Sequence, residues 1–311
     1  MIIIERTEDI EKPFHKAVVT IGNFDGVHIG HQSLFHQVVQ KAEAIGGTSI
    51  AITFEPHPLR VLTKNQHPPL ITLYEQKKEL IATTDLDVLI GLPFSPAFAA
   101  ISARSFVEDL LVNRIGMRAI IVGRDYSFGQ NREGDITLLR TLGQELNFEV
   151  VLADWITAAH GEKERISSTR IRELVMAGRL EDARQLLGRN YQIRGTVIAG
   201  RNRGGKLLGF PTANIRLYDE LCPQTGIYAV TIDLDGQVLQ GVANIGYSPT
   251  FDDHVFTVEV HILDFNTDIY GLKIKVNFLK RIREEIKFNS FEELSAQIRK
   301  DIEVARDLFK A

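Results

Sequence analysis

The hydrophobic pattern of this chain changes near residue 188, and that change constrains the fold more than any other feature. Before it, short β-rich apolar runs alternate with segments of helical periodicity, which is typical of crossover units on a parallel sheet. After it, apolar residues recur at every second position, with hardly a helix before the C-terminal end. The sequence therefore predicts a chain of two domains, 1–187 and 188–311, with the helical stretch 169–187 linking them.

The first domain is predicted to be an α/β, doubly wound parallel sheet. Strands are expected at 17–24, 48–54, 86–94, 117–123 and 147–153. Helices are expected near 31–45, 73–83, 103–115 and 135–146, and a capping box from Thr72 to Glu75 opens the second. Ligands of such sheets bind at the carboxyl ends of the strands, where segments 22–31 and 122–129 lie.

The second domain is predicted to be a small antiparallel β-barrel with a C-terminal helix. Its strands are expected at 191–200, 226–234, 237–246, 254–263 and 272–279, and Asp235-Gly236 is a strong signal for a two-residue hairpin turn. A second capping box, Ser290 with Glu293, begins the final helix. We interpret the apolar stripe of that helix as core: Phe291, Leu294, Ile298, Ile302, Ala305 and Phe309.

The composition is that of an ordinary globular enzyme, and small or phosphorylated substrates fit it better than nucleic acid does. The chain has 311 residues, 44% of them apolar, and a net charge of -4, which argues against a broad nucleic-acid surface. Its single cysteine, Cys222, excludes an intrachain disulfide and agrees with a reducing compartment. Apolar runs are too short for a signal peptide or a membrane span. We expect a cytoplasmic protein, a monomer or weak oligomer, that binds neither nucleic acid nor membrane.

The segment Gly22–His31 (GNFDGVHIGH) joins a predicted strand to an amphipathic helix. Its three glycines let backbone amides approach a ligand closely, and the helix N-terminus directs unpaired N–H groups at the same point. His28 and His31 add side-chain donors. This combination is typical of a site that binds the triphosphate of a nucleotide. Such a site stabilises the charge that builds as pyrophosphate leaves, without a covalent nucleophile.

Two other interpretations of this histidine pair remain open from the residues alone. The pair can serve packing or cap the helix, or it can ligate zinc. Zinc is disfavoured because the chain has no cysteine pair and no His-Glu-x-x-His motif to complete a site.

The run Gly200–Asn214 is a decoy for a phosphate-binding P-loop. The spacing of that motif is satisfied by Gly200, Gly205 and Lys206. Leu207, however, stands where a metal-binding hydroxyl belongs, and Pro211 obstructs the required helix. What remains is a glycine-rich flap followed by Thr212 and Asn214, which share a face if the chain is extended. Their oxygens either complete a magnesium shell or form the polar tip of a turn.

A carboxylate, Glu259, lies on the predicted strand 254–263, on the face opposite its aliphatic neighbours. Two interpretations are open. Glu259 is a general base for a substrate hydroxyl, or it is half of a buried ion pair with Arg281 or Arg283.

Several segments, taken together and in this order, resemble the bacterial bifunctional riboflavin kinase/FMN adenylyltransferases, also called FAD synthetases. The resemblance covers nearly the whole chain. In the first domain it is carried by GNFDGVHIGH, TFEPHP (Thr53–Pro58), VGRDYSFG (Val122–Gly129) and ISSTRIR (Ile166–Arg172). In the second it is carried by LGFPTAN, GVANIGYSPTF, VEVHILDF and RIREEIKF.

For the first domain the resemblance implies a nucleotidyltransferase-like Rossmann fold that adenylylates FMN with ATP, giving FAD and pyrophosphate. It implies that His28 and His31 hold the ATP phosphates and that Arg172 supplies a planar cation for developing charge. The other implied ATP-binding residues are Gly22, Asn23, Phe24, Asp25, Gly26, Gly30, Asp125, Ser168 and Thr169. The implied flavin-binding residues are Phe54, Pro56, Pro58 and Phe128.

For the second domain the resemblance implies phosphorylation of riboflavin to FMN. Glu259 takes the proton of the riboflavin 5′-hydroxyl as that oxygen attacks the γ-phosphorus of ATP. Thr212 and Asn214 carry Mg²⁺ and ATP, and Gly209 and Pro211 also line the ATP. The implied flavin-binding residues are Arg283, Glu285 and Phe288.

The chain departs from the family pattern at three places. Tyr126 stands where Phe is usual, Gly205-Lys206 replaces a commoner Gly-Arg, and Ser248 removes a frequent arginine near the kinase site. Two alternative functions remain: an enzyme that kept one activity and uses its other domain as a flavin or nucleotide sensor, and a non-catalytic flavin-binding protein.

Overall fold

The computed structural model divides into two compact units, Met1–Ser168 and Thr169–Ala311. It describes residues 1–63, 67–153, 166–198, 209–217, 219–247 and 256–310. The predicted boundary near Leu187 falls within the second unit, after its first two helices, and remains a prediction. Within the described residues, no helix is both long enough and apolar enough to cross a membrane.

The first unit is built on a parallel sheet. Among the described residues its strands are β1 (Ile2–Ile4), β2 (Ala17–Ile21), β3 (Ser49–Glu55), β4 (Val88–Pro93), β5 (Met117–Val122) and β6 (Glu149–Leu152), in the order β1-β4-β3-β2-β5-β6. Every residue of β2 is buried, because both faces of the sheet are covered. Val19 and Ile21 face one core cluster, and Val18 faces the other. The predicted doubly wound sheet is confirmed.

Helices cover the two faces of this sheet. They are α1 (Ile29–Ile45), α2 (Pro58–Leu62), α3 (Tyr74–Ala82), α4 (Pro96–Ala99), α5 (Ala103–Ser105) with a π-helical continuation at Phe106–Ile115, and α6 (Ile136–Leu146). The four predicted helices are confirmed. Strand β1 was missed because it has three residues and pairs with β4, far along the chain, so no local pattern marks it.

The predicted capping box at Thr72 is wrong. Helix α3 begins at Tyr74, and its N-cap, Leu73, makes no side-chain cap. The Thr72 hydroxyl instead donates to Asp25 Oδ1 at 3.2 Å and accepts from Gly26 N at 3.0 Å. These tertiary partners take the hydroxyl that the local pattern assigned to the helix.

The second unit is a closed barrel flanked by helices. It contains α7 (which begins at the junction and spans Ser168–Met176), α8 (Leu180–Leu187), β7 (Tyr191–Ile198), β8 (Ala213–Arg216), β9 (Gly226–Leu234), β10 (Gln237–Tyr247), β11 (Phe256–Ile262), β12 (Lys273–Arg283) and α9 (Phe291–Lys310). The described strands close in the order β10-β11-β8-β7-β12-β9, every pair antiparallel. The predicted barrel is confirmed, with β8 as a further strand.

Two local predictions for this unit are confirmed. Asp235 and Gly236 have φ angles of 50° and 84°, as a two-residue hairpin between β9 and β10 requires. At the start of α9, Ser290 Oγ accepts from Glu293 N at 3.2 Å, and the Glu293 carboxylate reaches one residue further, to Asn289 N. The decoy residues Gly200, Gly205, Lys206 and Leu207, and the departure at Ser248, lie outside the described residues.

Candidate active sites

The loops that follow β2 and β5 leave the sheet side by side. On one side of this adjacent pair lie β3, β4 and β1, and on the other side lies β6. The direction in which successive strands are added to the sheet therefore reverses between β2 and β5. Strand β2 ends at Ile21 and β5 at Val122, which places the segments 22–31 and 123–129 at that point. Ligands of open α/β sheets bind in the crevice at such a switch point.

The loop after β2 has a strained backbone. Phe24, Gly26 and Val27 have φ angles of 47°, 86° and 40°. Only Gly26 adopts such an angle freely, and for a β-branched residue it is a costly conformation. The side chains of Phe24 and Val27 are 2% and 1% exposed, so core packing helps to hold the strain.

His28 and His31 form a stacked pair at the N-terminus of α1. His28 Nδ1 accepts from His31 N at 3.2 Å, so His28 caps the helix. The two imidazole rings stack with centroids 3.5 Å apart. A Cβ on Gly30 would lie 3.1 Å from His28 Nδ1, so glycine leaves room for this ring. The cap interpretation is right, and it leaves the pair at the positive end of a helix dipole, where anions bind.

The motif containing Ser168 reaches the same loop. Ser168 Oγ donates to Asp25 O at 2.9 Å. Thr169 is exposed and Arg172 half-buried, and both follow in α7. Their approach to a nucleotide remains a prediction.

Aromatic rings gather where β3 and β4 end. The half-buried ring of Phe54 lies 5.6 Å from that of Phe94 and 5.9 Å from that of Phe98. Pro56 is exposed, and Pro58 is the first residue of α2. Phe94 and Phe98 were not predicted as site residues. They follow the strand that neighbours β3, and strand order was needed to place them there.

The loop after β5 places one aromatic side chain in the core and leaves an acidic one exposed. Phe128 is 7% exposed and belongs to the core, where its ring stacks on Tyr126 at 5.4 Å. Asp125 is exposed beside it. Contacts of Phe128 with flavin and of Asp125 with ATP remain predictions.

A cavity of about 390 Å³ lies in the second unit, between barrel strands and α9. Five of the predicted residues line it: Thr212, Glu259, Arg283, Glu285 and Phe288. The lining does not include Gly209, Pro211 or Asn214. Asn214 nevertheless pairs directly with Glu259 across β8 and β11, and Pro211 O lies 2.8 Å from His261 Nδ1 in the cavity wall.

Glu259 is the central member of a polar row across three strands. Its direct cross-strand neighbours are Asn214 on β8 and Asn244 on β10. Residues directly opposite one another in antiparallel strands project to the same face. Within the described part of the chain Glu259 makes no ion pair and no hydrogen bond, and burial raises its pKa above the ordinary 4.5.

The alternative that Glu259 pairs with an arginine is wrong. Arg283 instead binds Asp301, with Nε–Oδ1 and Nη2–Oδ2 distances of 2.9 and 2.7 Å. Arg281 donates to Thr225 O at 2.7 Å. The arginines are held by closer partners, which leaves the carboxylate of Glu259 available to a ligand.

The Arg283–Asp301 pair joins the end of β12 to α9 inside the cavity wall. Its side chains are 16% and 4% exposed, and Gln297 Nε2 donates to Asp301 Oδ1 at 2.9 Å. The Arg283 guanidinium lies 5.9 Å from the ring of Phe288. The ion pair therefore holds Arg283, and with it the neighbouring ring of Phe288, in a fixed position relative to α9.

We expect Asp301→Asn to lower the free energy of unfolding by about 3–5 kcal/mol, because it leaves the buried Arg283 cation uncompensated. The matched control is Asp264→Asn, which breaks the exposed pair with Arg306 and should cost at most about 1 kcal/mol. Urea denaturation of the full chain measures both. Equal losses in the two variants would contradict the structural role of the buried pair.

The interpretation of the α9 stripe as core is wrong for four of its six residues. Leu294, Ile298 and Ile302 line the cavity, and Phe291 is 64% exposed. Ala305 is fully buried. Helical periodicity identifies the apolar face but cannot distinguish a filled core from the wall of a ligand cavity.

Further lining residues escaped the sequence analysis. Asn244 Oδ1 is buried and, within the described ranges, has no hydrogen-bond partner. His261 packs edge-on against Phe210, with ring centroids 5.6 Å apart, and Asp301 lies on α9. Asn244 lies in the quoted segment GVANIGYSPTF, but only the register between β10 and β11 brings it beside Glu259, so the sequence did not single it out.

Comparisons with known families agree with the two units. Residues 10–170 match the FAD synthetase family, and residues 187–309 match the riboflavin kinase family. A bifunctional riboflavin kinase/FMN adenylyltransferase of Listeria monocytogenes is 40% identical over 94% of this chain and 92% of its own. The Escherichia coli K12 protein of the same description is 38% identical over 96% and 95%.

A solved structure is similar over the same extent. It is described as a macrolide-efflux protein from Streptococcus pneumoniae, has a TM-score of 0.85 and 33% sequence identity, and the alignment covers 98% of each chain. The efflux role in that description concerns that protein.

With these relatives, the fold and the two sites define a nucleotide-dependent transferase with two catalytic domains. More narrowly, the chain belongs to the bifunctional riboflavin kinase/FMN adenylyltransferase family. It is an enzyme of flavin cofactor synthesis with both a kinase and an adenylyltransferase domain. The resemblance, the fold class and the two activities are confirmed, and the single-activity alternative is not supported.

Proposed function

We propose that the barrel cavity phosphorylates riboflavin and that the switch-point loop adenylylates the resulting FMN, with 1–187 and 188–311 as the two domains. The observation that carries this proposal is the Glu259 carboxylate, which lies in the cavity without a partner among the described residues. We also propose that the enzyme works in the cytoplasm, as a monomer or weak oligomer, without binding nucleic acid.

In the kinase step the 5′-hydroxyl oxygen of riboflavin attacks the γ-phosphorus of ATP. The new O–Pγ bond forms as the bond to the ADP oxygen breaks, and the hydroxyl proton passes to the Glu259 carboxylate. Burial raises the pKa of Glu259, which makes it a stronger base than an exposed glutamate. Arg283, Glu285 and Phe288 orient the flavin from the end of β12 and the loop that follows.

The polar groups near Glu259 suit a magnesium nucleotide. Thr212 and Asn214 offer neutral oxygens, as Mg²⁺ accepts when phosphates and water complete its shell. The buried Oδ1 of Asn244 is a further acceptor on the same face of the barrel. Thr212 and Asn214 would hold the ion, which when bound neutralises phosphate charge.

In the adenylylation step a phosphate oxygen of FMN attacks the α-phosphorus of ATP. The bond between that phosphorus and the pyrophosphate oxygen breaks, and no covalent bond to the protein forms. His28, His31 and the amides at the start of α1 hold the phosphates, and Ser168, Thr169 and Arg172 stabilise the charge of the leaving group. Phe54, Pro56, Pro58 and Phe128 border the flavin ring.

The test is an assay of flavin products. We expect the purified chain, incubated with riboflavin, ATP and Mg²⁺, to form FMN and then FAD, and FMN with ATP to form FAD directly. Separation of the flavins by chromatography measures both. Accumulation of FMN without FAD would contradict the adenylylation site, and no turnover at all would contradict both sites.

A further inference from the structure

Lys77 is a buried cation outside every motif that the resemblance rests on. It lies on α3 and is 3% exposed. Its Nζ donates one hydrogen bond within the described part of the chain, to Thr53 Oγ1 at 3.4 Å. Burial lowers the pKa of Lys77, and the charges of Asp25 and Glu55 oppose that shift. A buried ammonium with so little compensation needs a reason.

The hydrogen bond of Lys77 leads directly to the nucleotide loop. Thr53 Oγ1, which accepts from Lys77, donates its own proton to Asn23 O at 3.2 Å. Thr53 is fully buried near the end of β3. The relay therefore fixes the carbonyl of the second residue of the Gly22–His31 segment.

Thr72 holds the same loop at Asp25 and Gly26, two and three residues after Asn23. Its amide and hydroxyl both donate to Asp25 Oδ1, at 3.0 and 3.2 Å, while its hydroxyl accepts from Gly26 N at 3.0 Å. Ile71 N donates to the other Asp25 oxygen at 3.1 Å. Asp25 is 2% exposed, so its carboxylate holds the loop from the interior, and the charge of Lys77 interacts with that carboxylate.

These contacts act on the strained stretch described above. Backbone in a sparsely populated conformation persists only where the surroundings over-determine it. The positive φ angles of Phe24, Gly26 and Val27 lie between the anchor at Asn23 and the cap at His28. Release of either brace would let the loop relax away from the arrangement that presents its amides and the histidine pair.

We propose that Lys77, acting through Thr53, and Thr72 are positioning residues of the adenylyltransferase site that hold residues 23–27 in the conformation that binds ATP. The inference rests on the proposed assignment of adenylylation to this loop. Lys77 and Thr72 are 3% and 1% exposed, so we expect both to act on nucleotide binding through the loop and not on the chemical step.

The experiment compares Lys77→Met and Thr72→Val with Lys78→Met and Thr72→Ser. Lys78 is the neighbouring lysine, but it pairs with Glu5 and Glu75 at 3.0 and 2.9 Å, and Thr72→Ser keeps the hydroxyl. Steady-state kinetics of FAD formation from FMN give KM for ATP and kcat. Turnover at saturating ATP reports on the fold of the first unit, and riboflavin phosphorylation in the same preparations reports on that of the second.

We expect Lys77→Met and Thr72→Val each to raise KM for ATP in FAD formation by about tenfold, the effect of one lost hydrogen bond or more. Turnover at saturating ATP should change far less, riboflavin phosphorylation should stay at the native rate, and the two control variants should resemble the native protein. If Lys77→Met fails to fold, the Thr72 pair decides by the same criteria.

An unchanged KM for ATP in the folded test variants overturns the inference. A fall in kcat at unchanged KM also overturns it, because it would place these residues at the chemistry, and so does an equal effect of Lys78→Met. A native protein that forms FMN but no FAD contradicts the proposed function instead, so the two failures are distinguishable.

Discussion

Glu259→Gln is expected to lower the rate of riboflavin phosphorylation by about 10²–10⁴-fold, because glutamine has nearly the same shape as glutamate but cannot accept the hydroxyl proton. Conversion of supplied FMN to FAD should proceed at the native rate, since that reaction uses the other unit. The measurement is the initial rate of each half-reaction. The matched control is Glu303→Gln, an exposed carboxylate on α9, which should leave both rates unchanged.

The stability of Glu259→Gln separates chemistry from folding. Burial raises the folded-state pKa of Glu259 above 4.5, so ionisation of this carboxyl costs more in the folded protein than in the unfolded chain. The protonated form of Glu259 therefore contributes to the free energy of unfolding. That contribution is complete below pH 4.5 and is lost as the pH rises through the raised pKa. At neutral pH the variant should therefore unfold at the same or a higher temperature than the native protein. A lower melting temperature together with loss of both activities would contradict the assignment as base.

The double substitution His28→Asn with His31→Gln is expected to lower FAD formation by about 10²–10³-fold and to leave FMN formation intact. It removes both imidazoles from the N-terminus of α1, where the phosphates are proposed to bind. The helix should still begin at the same residue, because Asn is a good N-cap and Gln suits the third helical position. Kinetics with FMN and ATP measure the loss.

The control for the histidines is His36→Gln, an exposed position on the same helix. It should leave FAD formation at the native rate. An equal loss in His36→Gln, or a simultaneous loss of riboflavin phosphorylation in the double variant, would show a general defect in place of a local one.

Local patterns predicted the elements better than the contacts between them. The alternation of runs and helices identified β2 through β6, and period two identified most of the barrel, because these patterns depend on side chains close in sequence. The same reasoning failed for β1, whose partner β4 is distant, and for Thr72, whose hydroxyl is taken by Asp25 and Gly26.

Site residues show the same division. The histidine pair and Glu259 were identified from the sequence because glycine spacing and a polar residue in an apolar strand are local signals. Asn244, His261 and Asp301 were missed, and the apolar residues of α9 were interpreted as core, because barrel register and helix docking bring these residues to the cavity.

The sequence by itself determined the class of each unit, the principal motifs and the residue types of the two chemistries, since these follow from periodicity and from spacing within short segments. Only the tertiary structure decided that Arg283 binds Asp301 while Glu259 has no partner among the described residues, and that buried Lys77 and Thr72 brace the nucleotide loop. Such partner choices depend on distances between groups far apart in the chain. Those distances exist only once the strands have taken their order and register.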